Sequence, residues 1–174
     1  ISSGFHHTCA ILGNESVYCW GINNYGQLGI GSTQNQNVPQ YVELPTGSSP
    51  VQISASEEHT CVVMNNGSLY CWGNNNYNQV EGQVTNDLSS SLYSPVHVPM
   101  KFGEKVISVS IGDKFTCALT EFGAITCWGS GSNSKLVELN HDKPTKLRYL
   151  ISETSEWNIQ PMGWNILDFS FGQT

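Results

Sequence analysis

Six cysteines carry most of the reactive chemistry in this chain, and they come as three equal pairs. His7-Thr8-Cys9 is followed after nine residues by Cys19-Trp20-Gly21. His59-Thr60-Cys61 is followed in the same way by Cys71-Trp72-Gly73, and Phe115-Thr116-Cys117 by Cys127-Trp128-Gly129. Paired thiols can oxidise to a disulfide, ligate a metal or stay buried and free. Zinc pairs usually sit two to four residues apart, so a nine-residue gap fits a metal poorly. Between the second pair lie Val62-Val63-Met64, then Asn65-Asn66-Gly67, then Ser68-Leu69-Tyr70. Two β-prone runs around Asn-Gly turn chemistry predict a hairpin with a three-residue loop and a glycine bulge. That register sets Cys61 opposite Cys71. A directly opposed, non-hydrogen-bonded pair brings Cα atoms to about 4.5 Å, within disulfide reach. The favoured reading is three local disulfides, Cys9–Cys19, Cys61–Cys71 and Cys117–Cys127, with buried free thiols and a metal site as alternatives.

The other chemistry-bearing residues form no catalytic constellation. His7 and His59 share a repeat position that Phe115 occupies in the third copy, as a structural histidine permits and a catalytic or metal-binding one does not. His6, His97 and His141 have no ligand spacing. Trp20, Trp72 and Trp128 each follow a cysteine directly and so point away from the sulfur's side of the strand. They are expected between packed sheets with the indole N–H bonded locally; a sugar-stacking ladder is the competing reading. Asn14-Glu15-Ser16 and Asn66-Gly67-Ser68 are glycosylation sequons at the expected hairpin tips, although Asn-Gly is also ordinary turn chemistry. No cofactor is called for.

The 174 residues carry a formal net charge of −7, and all seven basic residues lie between Lys101 and Arg148. This balance lacks the cationic footprint that nucleic acid or an anionic membrane surface requires. There is no stretch of about 18 apolar residues, so no membrane insertion is expected. Paired cysteines point to an oxidising, extracellular or cell-surface location. The chain opens inside a repeat, which reads as a mature or excised segment.

The cysteine pairs recur at offsets of 52 and 56 residues, and other landmarks keep phase. Gly4, Ser56 and Gly112 each sit five residues before a first cysteine. Alternating runs at 51–56, 107–112 and 167–172 predict half-buried strands with close backbone approach. Pro39, Pro95 and Pro144 each open a further alternating run, expected to be an edge strand or a strand start. Four antiparallel strands per unit at this period select an all-β architecture of propeller blades. The boundaries read as repeats at 1–52, 53–108 and 109–166, with 167–174 starting a fourth.

The run Gly4-x-x-His7-Thr8 through Cys19-Trp20-Gly21-x-Asn23-x-x-Gly26-Gln27-Leu28-Gly29-x-Gly31 resembles the regulator of chromosome condensation repeat. The second copy keeps His59, Trp72-Gly73 and Asn75 but loosens the glycine-rich element to Asn78-Gln79-Val80-Glu81-Gly82. The third keeps Thr116, Trp128 and Gly129 and loses that element. The resemblance implies a β-propeller, typically of seven blades. The paired cysteines make the chain similar to secreted or cell-surface variants, such as crinkly-type receptor ectodomains. Secreted bacterial relatives, including a propeller-type β-lactamase inhibitor protein, use the fold for binding.

The function expected is therefore a non-catalytic extracellular scaffold, binding protein or building a structure. Its partners would be another protein or further blades of the same kind, with possible N-glycans. Alternatives are nucleotide exchange on a small GTPase, carbohydrate binding and a filament or surface-layer subunit. Period-breaking loops at 82–93 and 148–163, with Tyr25, Tyr77, Tyr93 and Trp157, are the candidate partner contacts.

Overall fold

A computed structural model describes residues 1–81, 91–100 and 103–130, and the backbone of a strand at 145–147. Among the described residues twelve strands form three antiparallel four-stranded sheets. The first holds β1 (Ser2–Ser3), β2 (His7–Ile11), β3 (Val17–Gly21) and β4 (Gln36–Val42). The second holds β5 (Pro50–Ala55), β6 (His59–Met64), β7 (Leu69–Asn74) and β8 (Ser91–Val98). The third holds β9 (Val106–Ile111), β10 (Phe115–Thr120), β11 (Ile125–Gly129) and β12 (Thr145–Leu147). Each sheet is a simple meander in chain order, the blade architecture expected from the repeats. The first strands converge, since β1 touches β5 and β5 touches β9; β4, β8 and β12 form the outer edges. Blades two and three begin at Pro50 and Val106, so the repeat boundaries at 52/53 and 108/109 run through β5 and β9. The expected opening strand of a fourth repeat lies outside the described residues.

The hairpins form as their turn chemistry dictates. Gly67 N–H donates to Met64 O at 2.9 Å and Met64 N–H to Ser68 O at 2.9 Å, with Gly67 at φ 85°. Gly123 takes the same place in blade three at φ 73°, and Glu15 takes it in blade one at φ 67°. In this register Cys9 faces Cys19, Cys61 faces Cys71 and Cys117 faces Cys127. All three disulfides form, with Cα atoms 4.2, 4.1 and 4.0 Å apart. The six sulfurs are fully buried.

Pro39 and Pro95 stand on outer edge strands, as expected, but do not start them; Pro144 lies outside the described residues. Pro39 and Pro95 lie inside β4 and β8, beside register shifts at Cys19/Gly21 and Cys71/Gly73. On an outer edge next to a bulge, the missing N–H breaks no ladder, so the strand begins earlier than the proline.

The core is two layers between blades. One packs Cys9, Val17, Cys19, Leu28 and Val42 of blade one against Val62, Met64 and Trp72 of blade two. The other packs Cys61, Val63, Leu69, Cys71, Val80 and Val98 against Val106, Val109, Ile111, Ala118 and Trp128. Cys9–Cys19 and Cys61–Cys71 thus face the next blade, and Trp72 and Trp128 the previous one. Gln52 adds a strand-like clamp at the inner edge: its Oε1 accepts from Val109 N–H at 2.8 Å and its Nε2 donates to Val109 O at 3.1 Å.

Gly29 shows how tightly the layers meet. It has φ 72°, and an added Cβ would lie 2.7 Å from Trp72 Nε1. Gly13, in the first hairpin, has nothing within 4 Å of such a Cβ. Gly29→Ala should lose about 2–4 kcal/mol of stability, from the left-handed backbone and overpacking together. Gly13→Ala should change it by less than about 0.5 kcal/mol, both read from urea midpoints.

Candidate functional site: the seams between blades and the loop face

The most organised polar chemistry lies in the seams between blades. Gln27 O, at the end of the blade-one loop, accepts two bonds from blade two: Thr60 Oγ1 at 2.9 Å and Trp72 Nε1 at 2.8 Å. Gln79 O does the same for blade three, accepting from Thr116 Oγ1 at 2.7 Å and Trp128 Nε1 at 3.0 Å. Since each threonine proton goes to a carbonyl, the hydroxyl oxygen must accept from the histidine beside it. His7 Nε2 reaches Thr60 Oγ1 at 2.8 Å, and His59 Nε2 reaches Thr116 Oγ1 at 2.9 Å. Both histidines are therefore the neutral tautomer protonated at Nε2. On the other ring nitrogen, His59 Nδ1 accepts from Ser56 Oγ at 2.8 Å. His7 Nδ1 has no partner among the described residues, because glycine stands at position 4 where Ser56 stands in blade two.

The loops that carry these carbonyls are built by buried asparagines. Asn23 Oδ1 accepts from Leu28 N–H at 2.9 Å, while its Nδ2 donates to Ser32 O at 2.8 Å and Gln34 O at 3.1 Å. Asn75 Oδ1 accepts from Val80 N–H at 3.0 Å. Gln27 and Gln79 turn their own Oε1 back onto the backbone N–H of Tyr25 and Tyr77, at 3.0 and 2.8 Å. Asn78 replaces Gly26 with φ 58°, a conformation asparagine tolerates, so the looser second copy keeps the same loop.

Phe115 ends the histidine series. Its ring fills the space beside Gly112, where an added Cβ would strike it. The pairs Ser56/His59 and Gly112/Phe115 are alternative solutions to one packing problem. Trp72 and Trp128 are in the blade-to-blade layers as expected, but their N–H bonds cross the seam instead of closing locally; Trp20 is half-buried and in neither layer. Trp72 and Trp128 are buried, so neither can serve as a sugar platform.

Antiparallel order puts the β1–β2, β5–β6 and β9–β10 connections on one face, together with the β3–β4 and β7–β8 connections; the other face carries the hairpin tips and blade-to-blade links. On the first, the loop face, stand Phe5-His6, Glu57-Glu58 and Asp113-Lys114 at equivalent positions. A hydrogen bond with Asp113, then desolvation and neighbouring negative charge, hold the Glu57 carboxyl above its ordinary pKa. Tyr77 is 43% exposed there, with Lys114 Nζ 5.1 Å from its ring centre. Tyr25, its counterpart, is half-buried. Tyr93 lies on β8, where it covers Gly26 and its carbonyl accepts from Gly31 N–H at 2.8 Å, so it also closes the first seam. Trp157 lies outside the described residues, as do 82–90 and 148–163. A groove of 560 Å³ between the outer strands is lined by Gly31, Tyr41, Leu44, Ser94 and Pro95, with Glu43 its one carboxylate. No metal-holding group of His, Cys, Asp or Glu occurs among the described residues, and no helix there is long and apolar enough to cross a membrane.

Disulfide-stapled blades joined by a recurring His–Thr–carbonyl–Trp seam define a repeat propeller segment. The regulator of chromosome condensation (RCC1) repeat matches residues 14–63 and 66–119, and a second form of that repeat matches 51–79 and 106–134; the chain belongs to this family. It is 35% identical over 136 residues to the ultraviolet-B receptor UVR8 of Arabidopsis thaliana, covering 78% of this chain and 30% of the receptor. It is 31% identical over 137 residues to the probable E3 ubiquitin-protein ligase HERC4 of Rattus norvegicus, covering 78% of this chain and 13% of the ligase. The chain thus spans less than a third of these relatives. Among solved structures it resembles human WBSCR16, with a TM-score of 0.72 and 24% identity over 84% of this chain and 36% of that one. It also resembles Prp20p of Saccharomyces cerevisiae, described with binding properties to Gsp1p and histones, with a TM-score of 0.72 and 23% identity over 85% of this chain and 37% of that one. At these identities the structural likeness speaks for the fold.

The buried histidines make the seams acid-labile. Burial first, and the charge of His6 second, lower the pKa of His7 from 6.5 to about 4. Burial first, and His7 second, lower that of His59 from 6.5 to about 3. Between those values and 6.5 the unfolded chain binds more protons, so stability is complete above pH 6.5 and falls as pH drops toward 3–4. The urea midpoint at pH 5 should lie below that at pH 7.5. The Ser56→Gly/His59→Phe double variant, which copies the blade-three pair, should fold and show a smaller loss between the two pH values. An unchanged loss would mean that His59 does not set the acid limit.

Proposed function

We propose that this chain is part of an extracellular, non-catalytic scaffold that binds protein through the loop face. The observation that carries the reading is a constant frame with changing loop tips. Three blades share hairpin register, disulfide and seam chemistry, yet the first-loop tips differ as Phe5-His6, Glu57-Glu58 and Asp113-Lys114. A rigid frame that varies outward-facing loops suits recognition. Phe5 is 60% exposed and Tyr77 43% exposed on that face, beside the Glu57–Asp113 carboxyl pair. Three buried disulfides and no free cysteine among the described residues support the oxidising location.

Further blades are the second kind of partner. Thr8 and Trp20 are half-buried at the open side of blade one, whereas their counterparts Thr60 and Trp72 are sealed by a preceding blade. A further blade of this repeat type packed on that side, from the same chain or another copy, would offer Thr8 and Trp20 a carbonyl as Gln27 offers one to Thr60 and Trp72.

Nucleotide exchange is the competing reading, favoured by the fold shared with Prp20p. The two readings separate in one pair of assays. Partners captured from an extracellular fraction by the oxidised protein should fall at least tenfold with Tyr77→Ala/Glu57→Lys, while nucleotide release from small GTPases stays at the intrinsic rate. Undiminished capture would remove the loop face from the account. Accelerated release would favour exchange.

A further inference from the structure

We infer that Asn14 and Asn66 are N-glycan acceptors that place two sugar chains side by side on the hairpin face, opposite the loop face. The inference rests on the extracellular reading above, because the transfer takes place in a secretory compartment.

Position within the repeat is the first argument. The chain has 16 asparagines, and just two are followed two residues later by Ser or Thr. Both stand five residues after the first cysteine of a hairpin, at equivalent places in neighbouring blades. The third blade has Phe122 there, 76% exposed, so the position is solvent-facing even where its residue is apolar.

Local geometry is the second argument. Asn14 Oδ1 accepts from Ser16 N–H at 3.3 Å and Asn66 Oδ1 from Ser68 N–H at 3.0 Å. Each sequon is thus already folded back on itself, with the amide oxygen engaged. Both asparagines are exposed, and no hydrogen bond is made by Nδ2 of either among the described residues. The contrast lies within the same blades. Asn23 and Asn74 spend Nδ2 on internal acceptors, Ser32 O and Gln34 O for the first and the Glu58 carboxylate for the second. Those amides build structure; the two at the tips are available for chemistry.

The reaction these tips can undergo is transfer from a lipid-diphosphate-linked oligosaccharide. The Asn Nδ2 attacks the anomeric carbon, an N-glycosidic bond forms, the bond from that carbon to the diphosphate oxygen breaks, and the amide gives up one proton as the lipid diphosphate leaves. The Ser16 and Ser68 hydroxyls complete the acceptor motif. The links that run beneath the tips fix where the sugars go. At the first tip Ser49 Oγ donates to Glu15 Oε2 at 2.6 Å; at the second Asn65 N–H donates to Ser49 O at 2.8 Å, and Val106 N–H donates to Gly67 O at 2.9 Å. Both glycans therefore emerge among the blade-to-blade links, with Tyr77 and Glu57 left bare on the other face.

The test is secretion of the chain from mammalian cells, followed by glycosidase treatment, intact-mass measurement and thiol titration. Glycans at both asparagines, each converted to Asp on enzymatic release, are expected. Ser16→Ala and Ser68→Ala, which keep the asparagine and the backbone N–H it accepts from, should each lose one glycan. A secreted chain without free thiols and without sugar would overturn the inference and leave the extracellular reading intact. Sugar at one site alone would overturn the paired assignment. Both glycans on a chain with six free thiols would uphold the acceptor sites and overturn the oxidised-scaffold reading.

Discussion

One backbone carbonyl per seam, shared by a threonine and a tryptophan of the next blade, is the constraint on which the rest of this structure depends. Gln27 O and Gln79 O are fully surrounded by protein, and a buried carbonyl without donors is costly. Its presence demands a threonine just before the first cysteine, Thr60 and Thr116, and a tryptophan just after the second, Trp72 and Trp128, of the blade that receives it. The histidine is then needed to satisfy the threonine's remaining lone pair. Asn23 and Asn75 are needed to hold the loop that delivers the carbonyl. Residues that recur along the chain thus form a single chain of consequences, each member satisfying the one before it.

Disulfides and seam bonds divide the work. Each disulfide closes one hairpin and stays inside its blade, whereas every His–Thr and Trp–carbonyl bond crosses to a neighbour. Oxidation therefore protects single hairpins, and acid attacks the joints between them. In a repeat array, stability is roughly a sum of unit and nearest-neighbour terms, so the two threats act on different terms.

Local features were legible in the sequence and distant ones were not. Hairpin register, the opposed cysteines and the small-residue strands follow from patterns spanning about a dozen residues, and the structure reproduces them. The partners across the seam lie 53 and 57 residues apart, and half of each contact is a main-chain carbonyl that no residue type announces. The recurrence of Thr8, Thr60 and Thr116, and of Gln27 with Gln79, was the available signal, but its geometry needed the fold. Pro39 and Pro95 misled as strand openers because a bulge lets proline sit within an outer strand. Tyr93 reads as a loop aromatic but closes a seam, since a glycine 67 positions earlier makes room for it.

The most direct measurement is a double-mutant cycle across the first seam, with His7→Phe, Thr60→Val and the pair, each scored by urea unfolding at pH 7.5. Phenylalanine is the residue that blade three carries at the equivalent position, Phe115. If His7 and Thr60 are bonded between blades, the two losses should be non-additive by about 1–3 kcal/mol. Losses that add to within about 0.5 kcal/mol would show that the two residues do not interact, and the seam described here would be wrong.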